Sequence, residues 1–309
     1  MAASFLSRAN VATVGLTCKA FLKIGFCSSV SITGLDILLQ ALQSRERENG
    51  RGIVTVANHL STLDDPLLWG IMPWRTYFNE RTTRWALGAH DIIFTNPIFS
   101  AFFRHGQVLE TFRGKGIYQP SVDTAVAKLN GGGWVHLFGE GKVYQPKDYH
   151  EEHGVAHLAR FKWGIGRMLM ETNLPPIIIP TWITGFDKLM PEGRSTPYKF
   201  FPRPGVDLSV TFGSPIPAEK IQSALASINR DPADVHIPSS TSQSGNVKHG
   251  GGWIGETIAH SVPAYTQRYR EHDGKLWEEM ARVRSEVTEV IRREVEALGR
   301  SVSGDRLGK

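Results

Sequence analysis

A chain of 309 residues, 41% hydrophobic and 21% charged, holds enough apolar material for one large packed domain, which excludes a disordered or fibrous protein. The net charge of +5 admits an acidic partner, but no nucleic-acid motif organises the scattered basic residues. Nucleic acid is therefore set aside for a membrane surface, and two cysteines, Cys18 and Cys27, exclude a disulfide framework and lack zinc-site spacing.

Residues 1–35 contain Arg8, Lys19 and Lys23 and no acid before Asp36. The run from Val11 to Leu35 is apolar and small, broken by the two lysines. A spanning helix needs about 20 apolar residues with few charges. An interfacial amphipathic anchor, a poor transmembrane span and an acid-free targeting segment all fit such a run. A membrane-embedded or interfacial anchor over 1–35 is the expectation.

Residues 36–230 read as the main domain. The β-branched run from Gly52 to Asn58 predicts a buried strand. A helix follows in DPLLWGIM, with Asp65 at the N-cap and Pro66 at the first helical position. Ser121 to Asn130 predicts another helix, started by Pro120 and stopped by the glycines at 131–133. Trp134 to Phe138 reads as a strand, 155–172 as a helix, and Pro175 to Pro180 and Leu208 to Gly213 as further strands. Alternation of strands and helices predicts an α/β layer structure, with strand order left open. Residues 231–270 turn polar and glycine-rich and read as a flexible insertion. In 271–309 helical periodicity returns, with Leu276, Met280, Val283, Val287, Val290, Val295 and Leu298 on one face, as expected of a helix packing on the domain.

Three segments carry the chemistry. NHLSTLDDP (58–66) follows the first predicted strand and sets Asp64 five positions after His59. A turn there brings the carboxylate onto the imidazole, fixing its tautomer so that His59 can deprotonate a substrate hydroxyl. In HGQVLETFRGKGIYQ (105–119), Arg113 precedes Gly114 and a second glycine, Gly116. Glycine lets backbone N–H groups approach an anion, and guanidinium matches phosphate in a two-toothed fork. In FGEGKV (138–143), Glu140 lies between Gly139 and Gly141 at the end of a strand, where α/β sites gather.

In this order the segments resemble the glycerophospholipid acyltransferase superfamily, which pairs a His-x-x-x-x-Asp block with an arginine-glycine block, a Phe-Pro-Glu-Gly block and a later proline-bearing strand. Pro180 in PPIIIPTW matches the fourth block. The likeness is closer to the tafazzin branch, through LWGI after Pro66, FRGKGIYQ, EGKV and RFKWGIGRML (160–169). It covers roughly 52–213 and departs at Gly139, which stands where that family has proline. The stretch 214–270 has no recognisable counterpart.

The resemblance implies a central mixed sheet flanked by helices. It implies His59 as general base and Asp64 as its partner, Arg113 and Gly114 at a phosphate, and Glu140 and Gly141 near a glycerol head group. It further implies a coenzyme-A-independent transacylase exchanging acyl chains between phospholipids and lysophospholipids, among them cardiolipin, monolysocardiolipin and phosphatidylcholine. No metal or dissociable cofactor is called for, and self-association is left open. The location implied is mitochondrial membranes facing the intermembrane space: the outer leaflet of the inner membrane and the inner leaflet of the outer. An acyl-CoA-dependent acyltransferase could use the same residues, and a non-catalytic membrane scaffold would keep only the fold.

Two features read as structural. YHEEHGVAH (149–157) lacks the metalloprotease order and is expected to be a solvated loop entering the helix at 155–172. Most aromatic residues are expected in the core, with 177–190 the best second contact for a membrane.

Overall fold

The computed structural model describes residues 5–226 and 274–309; the insertion expected at 231–270 lies outside the described residues. Strands β1 (Ser29–Thr33), β2 (Ile53–Ala57), β3 (Arg84–Ala89), β4 (Val108–Thr111), β5 (Trp134–Phe138), β8 (Ile177–Thr184) and β9 (Asp207–Phe212) form one sheet in the order β1-β9-β8-β2-β5-β3-β4. Neighbours are parallel except β8 and β9, so the sheet is mixed. Central β2 is buried at every position between β5 and β8, which is why its sequence is a continuous apolar run rather than an alternating one.

The helices sort by crossover direction. From β2 through α3 (Asp64–Gly70) to β3, and through α4 (His90–Ile93) and α5 (Pro97–His105) to β4, the chain steps one way along the sheet. Through α6 (Pro120–Asn130) to β5 and α7 (Gly164–Glu171) to β8 it steps back. Right-handed crossovers therefore put the two groups on opposite faces. α1 (Phe5–Lys23) packs on α3 and α5. On the other side α10 (Gly274–Ser303) packs on β8, α7 and α9 (Ala218–Ala226), burying Val283, Val287, Ile291 and Val295. The short helices α2 (Leu35–Gln43) and α8 (Phe186–Leu189) complete the described elements of this kind.

Three expectations change. The anchor over 1–35 is not supported: among the described residues no helix is long and apolar enough to cross a membrane. The run divides, α1 ending at Lys23 and residues 29–33 joining the sheet as β1 beside β9. Small residues let α1 dock closely. Gly15 leaves its place to the Trp69 and Tyr77 rings, and the Trp69 indole N–H donates to the Val11 carbonyl at 3.1 Å.

The helix expected at 155–172 is only α7; before it stands the antiparallel hairpin β6 (His150–Glu152) and β7 (Val155–His157). His153 and Gly154 both have positive φ, the requirement of the tight turn that joins paired strands. Finally, 177–190 is no membrane contact, since β8 and α8 bury Trp182, Phe186 and Leu189 in the core.

Candidate active site

Asn58 ends β2 by tying its side chain to β8, donating to the Ile183 carbonyl at 3.1 Å and accepting its amide at 2.9 Å. The chain then turns and returns Asp64, wholly buried, as the first residue of α3. Asp64 Oδ2 lies 2.8 Å from His59 Nδ1 and accepts the amides of Leu60 at 2.5 Å and Ser61 at 2.9 Å. Its Oδ1 accepts the Ser61 hydroxyl at 2.7 Å. A carboxylate only accepts, so Nδ1 carries the imidazole proton and Nε2 holds the free lone pair. The ring stacks on Phe138 with centroids 4.1 Å apart and planes 17° apart, leaving the side chain 19% exposed. The His59 carbonyl accepts the Tyr144 amide at 2.8 Å. The spacing of five expressed the pair; the support from Ser61, Phe138 and Tyr144 had no sequence signal.

Glu140 is expected at a glycerol head group, but it is fully buried and its Oε2 accepts the His59 backbone N–H at 3.0 Å. Burial pushes its carboxyl up to about 8, the His59 and Ala159 amides opposing and the Asp64 charge adding to the rise. Glu140 thus braces the base's own backbone from beneath. Gly141, next in the chain, is exposed with φ of 70°.

Behind Phe138 lies a second histidine. The Thr55 hydroxyl accepts the Trp134 indole N–H at 2.9 Å and stands 2.7 Å from His136 Nδ1. The other ring nitrogen, Nε2, is buried without a hydrogen-bond partner among the described residues. Burial holds the imidazole down to about 4, the charge on Asp65 opposing and that on Arg84 adding.

Arg113 and Gly114 hang from the end of β4, on the sheet edge that carries His59 but three strand positions from β2, roughly 14 Å at usual strand spacing. Both are exposed; Gly114 and Gly116 have φ of 77° and 76°, and Arg113 Nη1 lies 3.5 Å from Asp91. So the fold gathers His59, Asp64 and Glu140 in one cluster and sets the arginine-glycine loop apart from it. Asp65, expected as an N-cap, instead sits inside the first turn of α3 and pairs through both oxygens with Arg84. Among the described residues no group of three or more metal-binding side chains occurs, and His157 pairs with Glu296.

Comparison with known proteins gives the family. An acyltransferase family model matches residues 38–184. The chain is 34% identical to a tafazzin of Dictyostelium discoideum, over 73% of this chain and 75% of that protein. It is 37% identical to an N-acylphosphatidylethanolamine synthase of Arabidopsis thaliana, over 66% and 69%. With a tafazzin of Drosophila melanogaster it is 35% identical, over 68% and 51%. A buried Asp64 holding His59 at the end of a parallel strand, within a segment matched by the acyltransferase model and at this identity, means that the chain belongs to the tafazzin family of phospholipid acyltransferases.

Proposed function

We propose that the chain exchanges acyl groups between phospholipids and lysophospholipids without coenzyme A, with cardiolipin and monolysocardiolipin as the characteristic pair and phosphatidylcholine as a further donor. The observation that carries this is the imidazole held by buried Asp64 at Nδ1 while the His59 side chain stays 19% exposed. His59 Nε2 takes the proton of the lysophospholipid hydroxyl as that oxygen attacks the donor's ester carbonyl. Asp64 stabilises the imidazolium. As the tetrahedral intermediate collapses, the donor's carbon–oxygen bond breaks and the imidazolium returns its proton to the departing alkoxide. One ester and one alcohol become another ester and another alcohol, so no cofactor is consumed. Arg113 and Gly114 hold a phosphate, Gly141 borders the glycerol, and Glu140 keeps the His59 backbone in place.

The reading includes attachment to a membrane leaflet, in mitochondria and facing the intermembrane space. Its support is the outer side of α4 and α5. There Ile98 is 78% exposed, Ile92, Phe99 and Phe102 are exposed too, and the exposed cation Arg104 shares α5 with three of them. Apolar side chains with a cation beside them suit the boundary of an anionic leaflet.

Purified protein given vesicles of labelled phosphatidylcholine and monolysocardiolipin, with no coenzyme A, is expected to form labelled cardiolipin. His59→Ala should lower the rate by roughly a hundredfold or more. Transfer that appears only with acyl-CoA would overturn the proposal. The plant relative supports a second acceptor, the amine of phosphatidylethanolamine, which the same base could deprotonate. N-acylated product in vesicles holding both acceptors would favour that reading.

A further inference from the structure

The loop that carries Arg113 is exposed only at its tip. Its base is closed by Gln119, whose Oε1 accepts the Phe112 amide at 2.8 Å and whose Nε2 donates to the Gly116 carbonyl at 2.6 Å. Beneath it lies Arg167 of α7, with a side chain 2% exposed. Its Nη1 donates to the Ile117 carbonyl at 2.7 Å, inside the loop. Three more of its N–H groups go to Glu171, at 2.9 and 3.0 Å, and to Asp123 at the start of α6. The guanidinium also lies over the Tyr118 ring, 4.8 Å from its centroid. The Tyr118 hydroxyl in turn accepts from Arg284 of α10 at 3.0 Å.

A buried cation is costly unless its donors are satisfied, and two carboxylates would have sufficed to neutralise this one. Its third contact is a main-chain carbonyl of the loop. We infer that Arg167 and Gln119 are positioning residues for the head-group site, holding the base of the 112–119 loop rigid so that Arg113 and the neighbouring amides meet a lipid phosphate in a preset geometry. This rests on the reading of that loop as the phosphate cradle. The resulting gain is in affinity, because the ordering of the loop is accomplished on folding and not at each binding event.

Gln119→Met removes both loop contacts without changing charge, and Arg167→Lys keeps the charge while losing the fork. The full chain would be assayed in detergent micelles, with glycerol 3-phosphate as a soluble competitor for the phosphate site. Both variants are expected to raise the KM for lysophospholipid and the inhibition constant of glycerol 3-phosphate together by about tenfold, with kcat within about twofold. A purely structural role would instead lower the melting temperature and the active fraction and leave both constants unchanged, and that result would overturn the inference. Should Arg167→Lys fail to fold, Gln119→Met decides alone. Arg113→Gln separates the two layers of the argument. If it leaves both constants unchanged, the cradle reading falls and the inference with it. If it raises them while Gln119→Met does not, the cradle stands and the positioning role is wrong.

Discussion

At the scale of single residues, the two carboxylates around His59 do different work because their surroundings differ. Asp64 is met by two amides and a hydroxyl besides the imidazole, so its charge is solvated by the fold. Glu140 is equally buried with far less compensation, and its carboxyl is raised from 4.5 to about 8. The sign follows from linkage. Between these values the unfolded chain has lost the proton and the folded one keeps it, so the stability gained from protonated Glu140 is complete below 4.5 and is lost as pH rises through about 8. Glu140→Gln mimics the protonated side chain and keeps an oxygen for the His59 amide. Its stability relative to wild type should therefore climb with pH and level off above about pH 8, by on the order of a few kcal/mol. Urea midpoints of both proteins across this range check it, and the low-pH titration of His136 cancels because both share it. A constant difference at every pH would mean that Glu140 is ionised in the fold.

At the scale of elements, legibility in the sequence followed burial. β2 and β5 carry apolar runs because both faces of each are covered, and the runs at 52–58 and 134–138 announce them. β1, with a largely exposed SVSIT, and β4, a half-buried VLET, give no such signal; they are strands through pairing with distant β9 and β3. The hairpin at 150–157 imitates a helix because its turn depends on the φ of two residues, which apolar spacing does not report. In the site, the His59–Asp64 pair was legible from local spacing. The Arg167 clamp was not, since beyond Glu171 on its own helix its partners Ile117, Tyr118 and Asp123 lie more than forty residues earlier in the chain.

Gly139 belongs to this scale as well. It stands where the family has proline, and two contacts account for it: its amide donates to the Ala57 carbonyl at 3.2 Å, and a Cβ there would come within 2.4 Å of the Phe161 ring. Gly139→Ala should destabilise by about 1–3 kcal/mol through overpacking. In a Phe161→Leu background the same change should cost measurably less, since the ring it strikes is gone. Equal costs in the two backgrounds, by denaturant unfolding, would refute the steric account.

At the scale of the whole molecule, the two faces of the sheet are finished differently. α10 covers one side with Val283, Val287, Ile291 and Val295 turned inward and carries an ion-pair network that includes Arg292, Glu296 and Arg300. The α4–α5 side leaves large apolar side chains in the open, although α5 has a well-buried inner contact at Ser100 and is capped by Asn96. Ile98, Phe99 and Phe102 share the outer face of α5 by their spacing of three and four residues. Such a face is costly in water, and an acyl-exchange enzyme has an obvious use for it, because its substrates reside in a bilayer and its catalytic edge must be held against one. Replacing Ile98, Phe99 and Phe102 with serine removes apolar area without touching His59, Asp64 or the arginine-glycine loop. Binding to vesicles containing anionic phospholipid, measured by co-sedimentation, should weaken by roughly tenfold or more. Transfer between lipids dispersed in detergent should stay near the wild-type rate, since there the substrate comes to the enzyme. Loss of activity in both settings would point to damage to the fold. Unchanged vesicle binding with unchanged activity would mean that this face is not the one that meets the membrane, and the orientation of the catalytic edge would then have to be sought at another exposed aromatic cluster, Tyr198, Phe200 and Phe201 or Trp74 and Phe78.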